Sequence, residues 1–256
     1  MLIASGFSWF HLVPGVEDGG LFPFAHHHGY IVMSSLFVCL VILAFALVAR
    51  AGLMKALARQ GEARYHADES LSALTIAEVF VGALMGLMDD LMERKYVVAF
   101  LPLITSLALY IFVSNILALF PGFQPPTDNI NTNLGMALVV MLTYIGTGLA
   151  LDPKGFISHI LGPMLVLSPL FIVLELLAYL AVRPGSLAVR LTGNIFGDHT
   201  VFNIMSELSM DLLFYAPVPV IFLALATLVS MIQAGVFSLL STIYIAQSLP
   251  RGDHDH

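Results

Sequence analysis

A chain of 256 residues that is 59% hydrophobic and only 11% charged lacks the polar surface to cover a water-soluble globule, which carries roughly 25% charge. That composition excludes an ordinary soluble enzyme and predicts an all-α polytopic membrane protein, read as a single membrane domain over 1–256. The net charge of −7 gathers mostly in short loops and tails, and a basic nucleic-acid footprint is absent.

Residues 1–29 mix Trp9, Pro14, Glu17, Asp18 and Pro23 with the run His26, His27, His28. This is expected as an extracytoplasmic N-terminal segment. Three consecutive histidine side chains converge poorly on one ion, so they read as interfacial. The first 49 residues hold no Lys or Arg, so a signal-peptide n-region is missing. Residues 30–49 are free of charge and about 30 Å long as a helix, enough to span a bilayer. Cys39 lies in this apolar run and has no second cysteine to pair with, so it reads as a small packed or lipid-facing residue.

Arg50, Lys55, Arg59 and Arg64 lead into a polar patch from His66 to Ser70. Over 71–92, Leu74, Ala77, Val81, Leu84, Met85 and Met88 recur at three- and four-residue spacing. That pattern predicts a cytoplasmic-side amphipathic helix, on the membrane surface or packed under other helices. Residues 96–120 form a second span. Residues 121–133 are turn chemistry throughout. A third span covers 134–151, and a short loop follows from Asp152 towards Gly162 and Pro163.

Residues 164–206 would make one helix about 64 Å long, twice the hydrocarbon thickness. It must bend or tilt steeply, and Pro169, Pro184 and Gly185 permit bends. A turn region is expected over 207–219. Residues 220–249 carry no charge and are also too long for an upright span. The polar tail 250–256 alternates His and Asp and reads as solubilising. The expected total is about five membrane-crossing helices plus the amphipathic one, the last two long and steeply tilted.

Lys and Arg outside the long charged helix fall only at 50–64, 94–95, 154 and 251. With five spans these positions alternate with basic-free segments. The positive-inside rule then places the N-terminus outside and the C-terminus in the cytoplasm.

Charge inside the long helix carries the functional signal, because a charge at the bilayer centre costs at least about 3 kcal/mol. Ser186, Arg190, Asn194 and Asp198 recur four apart, on one face or nearly so. Gly193 and Gly197 border that face and leave room for a partner helix. Glu175 lies about 22 Å from Arg190 along a straight helix, out of reach, and Asp198 is two turns away. The spacing favours a working charge at Arg190 over a structural ion pair. Asp198 and His199 suit a proton-accessible water pocket or a hydrated membrane edge. Glu175 serves the same purpose towards the cytoplasm or caps a buried network. Arg183, before Pro184, reads as an inner-side anchor or ion-pair partner rather than as a second working charge. Gln233, three residues after Ser230 in the last apolar helix, needs a hydrogen-bond partner, for which Arg190 is a natural choice.

No nucleophile elbow, zinc-binding His-Glu-x-x-His or phosphate-binding glycine loop occurs, so no catalytic chemistry of its own and no cofactor are expected. A self-contained channel or transporter would be favoured by inverted repeats, which are not found. An intramembrane metalloenzyme would need helical ligand spacing among the histidines, which is also lacking.

Four motifs in order carry a resemblance. They are Ser114-Asn-Ile-Leu-Ala-Leu-Phe-Pro-Gly-Phe123; Pro125-Pro-Thr-Asp-Asn-Ile-Asn-Thr132; Arg183-Pro-Gly-Ser-Leu-Ala-Val-Arg190-Leu-Thr-Gly-Asn194; and Ile232-Gln-Ala-Gly-Val-Phe-Ser-Leu-Leu-Ser-Thr-Ile-Tyr-Ile245. Over roughly 30–250 the chain resembles subunit a of the F-type ATP synthase membrane sector. The resemblance implies a proton-translocating stator in a bacterial inner membrane. It implies as partners a ring of c subunits, b-type peripheral stalk subunits, the rest of the F1Fo complex and the lipid bilayer. It makes Arg190 the family's essential arginine, with Asn194 and Gln233 its polar neighbours. Two offset half-channels would meet the ring from opposite sides. The chain departs from the family at Thr192, where Phe is usual, and in a Glu175–Arg190 interval one residue longer than in many members. It also has Ala226 where some members place an ionisable partner for the residue matching His199; here Asp198 is the local acid.

Overall fold

Every regular element among the described residues is a helix, and the reason lies in the sequence: long apolar runs that tolerate a few internal breakers such as Pro102. The structure, a computed structural model, describes residues 29–58, 72–120, 123–161, 168–212 and 218–250. The expected N-terminal segment with its histidine run, the polar patch from His66 to Ser70 and the tail beyond 250 lie outside the described residues.

The helices are α1 (Gly29–Leu57), α2 (Ala73–Asp89), α3 (Arg94–Leu117), α4 (Ile130–Leu151), α5 (Pro153–Leu161), α6 (Ser168–Leu177), α7 (Arg183–Leu212) and α8 (Val218–Gln247). A 3-10 turn, Pro126–Asp128, precedes α4, and a π-helical turn, Ala178–Val182, joins α6 to α7. Helices α1, α3, α4 and the Ala224–Gln247 part of α8 are long and apolar enough to cross a membrane. The chain is thus an all-α polytopic membrane protein. The charged element is helical from 168 to 212 but is not among those four. The π turn divides it, and α7 bears the polar motif.

Three expected boundaries need correction. Helix α4 begins at Ile130, so 130–133 is not turn; Asn129 caps it, its Oδ1 accepting from the Asn131 N–H at 2.8 Å. The loop expected after Asp152 is helix α5. Asp152 Oδ1 accepts from the Gly155 N–H at 2.9 Å, and Pro153 sits at the first helical position, where no N–H is needed. The capping carboxylate comes so close to Gly155 that a side chain there would collide with it. The turn expected from 207 starts later, because α7 runs on to Leu212 and α8 already includes Val218 and Pro219.

The described chain divides into two compact units. The first contains α1, α2, α3 and α8 as far as Gly235. Here α2 packs against α1 and α3 with Leu84 and Met88 buried. Phe80 and Phe112 approach with ring centroids 6.1 Å apart, and Tyr110 donates its hydroxyl to Ser35 Oγ at 2.9 Å. Along α1, Leu36, Leu40, Leu43, Leu47 and Val48 face outward, as lipid-facing residues do.

The second unit contains α4 to α7 and α8 from Val236. Its most extensive helix pair is α4 with α7. Met136, Ala137, Val140 and Met141 of α4 are buried, as are Leu187, Ala188, Leu191 and Ile195 of α7. The π turn has a local cause. The Arg183 N–H reaches the carbonyl of Ala178, five residues back, just before Pro184, which has no N–H and whose ring crowds the preceding turn.

Candidate functional site

Helix α7 has two unlike faces. Pro184, Leu187, Ala188, Leu191 and Ile195 are buried, while Ser186, Val189, Arg190, Gly193, Asn194 and Phe196 are exposed. At about 100° per residue, Ser186, Arg190, Gly193, Asn194 and Gly197 share one side. The structure therefore brings three of the expected residues, Ser186, Arg190 and Asn194, onto one open face. Arg190 has no hydrogen-bond or ion-pair partner among the described residues. The Ser186 hydroxyl is taken up by its own helix, donating to the Arg183 carbonyl at 2.9 Å. A Cβ added at Gly193 or Gly197 would meet open space, so no contact among the described residues requires those glycines. Asp198 and His199 continue the same helix; their side chains lie outside the described residues.

Behind this face stands a polar clamp. Asn133, in the first turn of α4, is fully buried. Its Nδ2 donates to the Thr127 carbonyl at 2.6 Å and to Thr192 Oγ1 at 2.8 Å. Thr127 is itself fully buried. The clamp ties the 3-10 turn, α4 and α7 together two residues beyond Arg190. Reading 121–133 as turn hid Asn133 from sequence reasoning, since a loop asparagine has no reason to be buried.

Glu175 does not approach Arg190. It faces Arg183, at 3.8 Å between Oε1 and Nη2, with the two side chains only 24% and 20% exposed. Of the two roles open to Arg183, the structure gives it the ion pair. The Arg183 guanidinium also stacks over three tyrosine rings, 4.5 Å from the centroid of Tyr179, 5.3 Å from Tyr144 and 5.6 Å from Tyr244. Tyr144 donates to the Tyr179 hydroxyl at 2.8 Å, and Phe156 of α5 stacks on Tyr179. Tyr144, Phe156 and Arg183 of this group border a cavity of about 390 Å³, which Asp152 and Gln247 also line. Tyr179 lies four residues before Arg183, a spacing visible in the sequence. Tyr144 and Tyr244 come from distant segments and left no such signal.

Gln233 is 3% exposed, in line with Ser230 at 4% and buried Ala234, whereas Met231 at 66% faces outward. The amide at this depth is thus an inward-facing group of α8, as expected for a residue that cannot face lipid. The Ser230 hydroxyl donates to the Ala226 carbonyl at 2.8 Å. Gln233 belongs to the first unit and Arg190 to the second.

Residues 31–246 match the family model described as ATP synthase A chain. A relative from Bdellovibrio bacteriovorus named ATP synthase subunit a is 32% identical over 252 residues, 98% of this chain and 99% of its own length. Relatives of the same name from Sorangium cellulosum and Aliarcobacter butzleri are 37% and 39% identical. These alignments cover 73% and 71% of this chain and 71% and 77% of the relatives.

Proposed function

The chain belongs to the ATP synthase A chain family, a membrane subunit of the ATP synthase complex, and from that premise we propose that α7 is the proton-translocating face of the stator. In this reading Arg190 is a fixed positive barrier between two offset half-channels, against which a ring of c subunits turns. The observation that carries it is the exposed Arg190, on a face of α7 bordered by glycines; among the described residues Arg190 has no partner and no contact explains those glycines.

The chemistry follows from the cost of charge in an apolar medium. A protonated ring carboxyl can face lipid, whereas an ionised one cannot without heavy cost. Arginine does not deprotonate in a protein. Its guanidinium favours the ionised state of each ring carboxyl that reaches it, and so favours proton release. The same charge repels a proton moving directly from one half-channel to the other. Protons must therefore travel round with the ring, and flux is coupled to rotation. One charge crossing 100 mV is worth about 2.3 kcal/mol, so several crossings drive each ATP.

Asn194, Ser186 and Gln233 supply neutral polar groups along this path. Asp198 and His199 line the outer half-channel, and Glu175 the cytoplasmic one. The chain does no bond-making chemistry and binds no cofactor; ATP is made elsewhere in the complex. It acts as a single membrane domain, with its N-terminus outside and its C-terminus in the cytoplasm of a bacterial inner membrane. The b-type stalk subunits hold it against rotation. In inverted membrane vesicles, Arg190→Ala is expected to abolish ATP-driven proton pumping while ATP hydrolysis is partly retained. Pumping at the wild-type ratio to hydrolysis would refute the proposal.

A further inference from the structure

The contact between α4 and α7 is apolar almost throughout, and apolar contacts carry no direction. Leu187, Ala188, Leu191 and Ile195 would bury nearly as well if α7 turned by some tens of degrees about its axis. Such a turn would swing Arg190 out of line with whatever faces it. At the level of Arg190 a polar contact opposes this, closer along α7 than the stacking of Arg183 on Tyr144. Thr192 lies two residues, about 200° of helical turn, beyond Arg190. Its Oγ1 accepts from Asn133 Nδ2 at 2.8 Å. A hydrogen bond weakens steeply with misalignment, so it fixes rotation where packing does not.

The donor is itself fixed. Asn133 Nδ2 also donates to the Thr127 carbonyl at 2.6 Å, and a carbonyl only accepts. The amide therefore cannot be turned over, and its second hydrogen is committed to Thr192. The cost of this arrangement is visible: Asn133 Oδ1 is buried and has no hydrogen-bond partner. A side chain kept fully buried with half its amide unsatisfied is one whose donors are needed.

We propose that Asn133 is a positioning residue for proton translocation, setting through Thr192 the direction in which α7 presents Arg190. This rests on Arg190 being the barrier, and one experiment on the intact complex in inverted vesicles separates the two claims. Proton pumping and ATP hydrolysis are measured for Thr192→Val, Thr192→Ser, Asn133→Leu and Arg190→Ala, with the amount of the chain in the membrane measured alongside. Thr192→Val and Asn133→Leu are expected to lower the ratio of pumping to hydrolysis about 3- to 10-fold, the span expected for one interhelical hydrogen bond, with the chain present at its normal amount. Thr192→Ser keeps the hydroxyl and restores the ratio. If Thr192→Val pumps normally while Arg190→Ala does not, this inference is overturned and the barrier stands. If Arg190→Ala pumps normally, the barrier itself is lost. Disappearance of the chain from the membrane in both Thr192→Val and Asn133→Leu would reduce the pair to scaffolding and also overturn the inference.

Discussion

Arg183 and Arg190 are seven residues apart, close to two helical turns, so both project from nearly the same side of α7. Their surroundings differ completely. Arg183 has a carboxylate at 3.8 Å and three tyrosine rings around its guanidinium. Arg190 has an open face. A paired and stacked cation has little field left for anything beyond its cage, whereas an unpaired one can act on a passing group. The cage thus holds Arg183 in place whatever Glu175 contributes to the proposed cytoplasmic half-channel, and its worth to stability can be ranked. Tyr179→Phe removes one hydroxyl from the Tyr144–Tyr179 hydrogen bond and should cost about 1 kcal/mol. Arg183→Met empties the cage and leaves Glu175 without its cation. That should cost about 2 kcal/mol, below the full value for a buried pair because both side chains retain some exposure. Heating the detergent-solubilised complex and following loss of the chain should rank Arg183→Met below Tyr179→Phe, and both below wild type. The reverse order would contradict the assignment.

Helix α7 is the element on which these residues are arranged; that the segment around it is too long for one upright span was legible in the sequence, but its end at Leu212 was not. Its bend was legible only in part. Pro184 marked the place, but a π turn before the proline depends on carbonyl geometry that residue identities do not state. The same limit explains α5. Asp152-Pro153 is a good helix start, yet nine residues after a span also read as a loop until Phe156 is seen stacked on Tyr179. The four-residue spacing of Ser186, Arg190 and Asn194 translated directly into one exposed face, because only helical geometry is involved. The Asn133–Thr192 bond joins residues 59 positions apart, and nothing local predicts it. The proposed outer half-channel gives α7 a graded accessibility. In a Cys39→Ser background, cysteines placed at Asp198 and His199 should react with a membrane-impermeant thiol reagent applied outside, and one at Leu191, buried against α4, should not. Full protection at both 198 and 199 would remove the outer half-channel from the account.

Across the whole molecule, under the proposed mechanism, some elements hold and one face works. Apolar α1, α3 and α4 supply the embedding, with α1 turning leucines outward. Among the described residues nothing covers the Arg190 face of α7, which suits the proposed role of a face that meets another molecule. The four apolar spans among the described residues carry almost no charge in their cores, so in the proposed mechanism the coupling of flux to rotation is assigned to Arg190. The most direct measurement is passive proton conductance through membranes stripped of the ATP-hydrolysing head, with the ring free or locked to the stator by a cross-link. The wild-type chain should conduct with the ring free and fall silent when it is locked. Arg190→Ala should go on conducting with the ring locked, since the direct route is no longer barred. A locked Arg190→Ala membrane as tight as the locked wild type would contradict the arginine barrier.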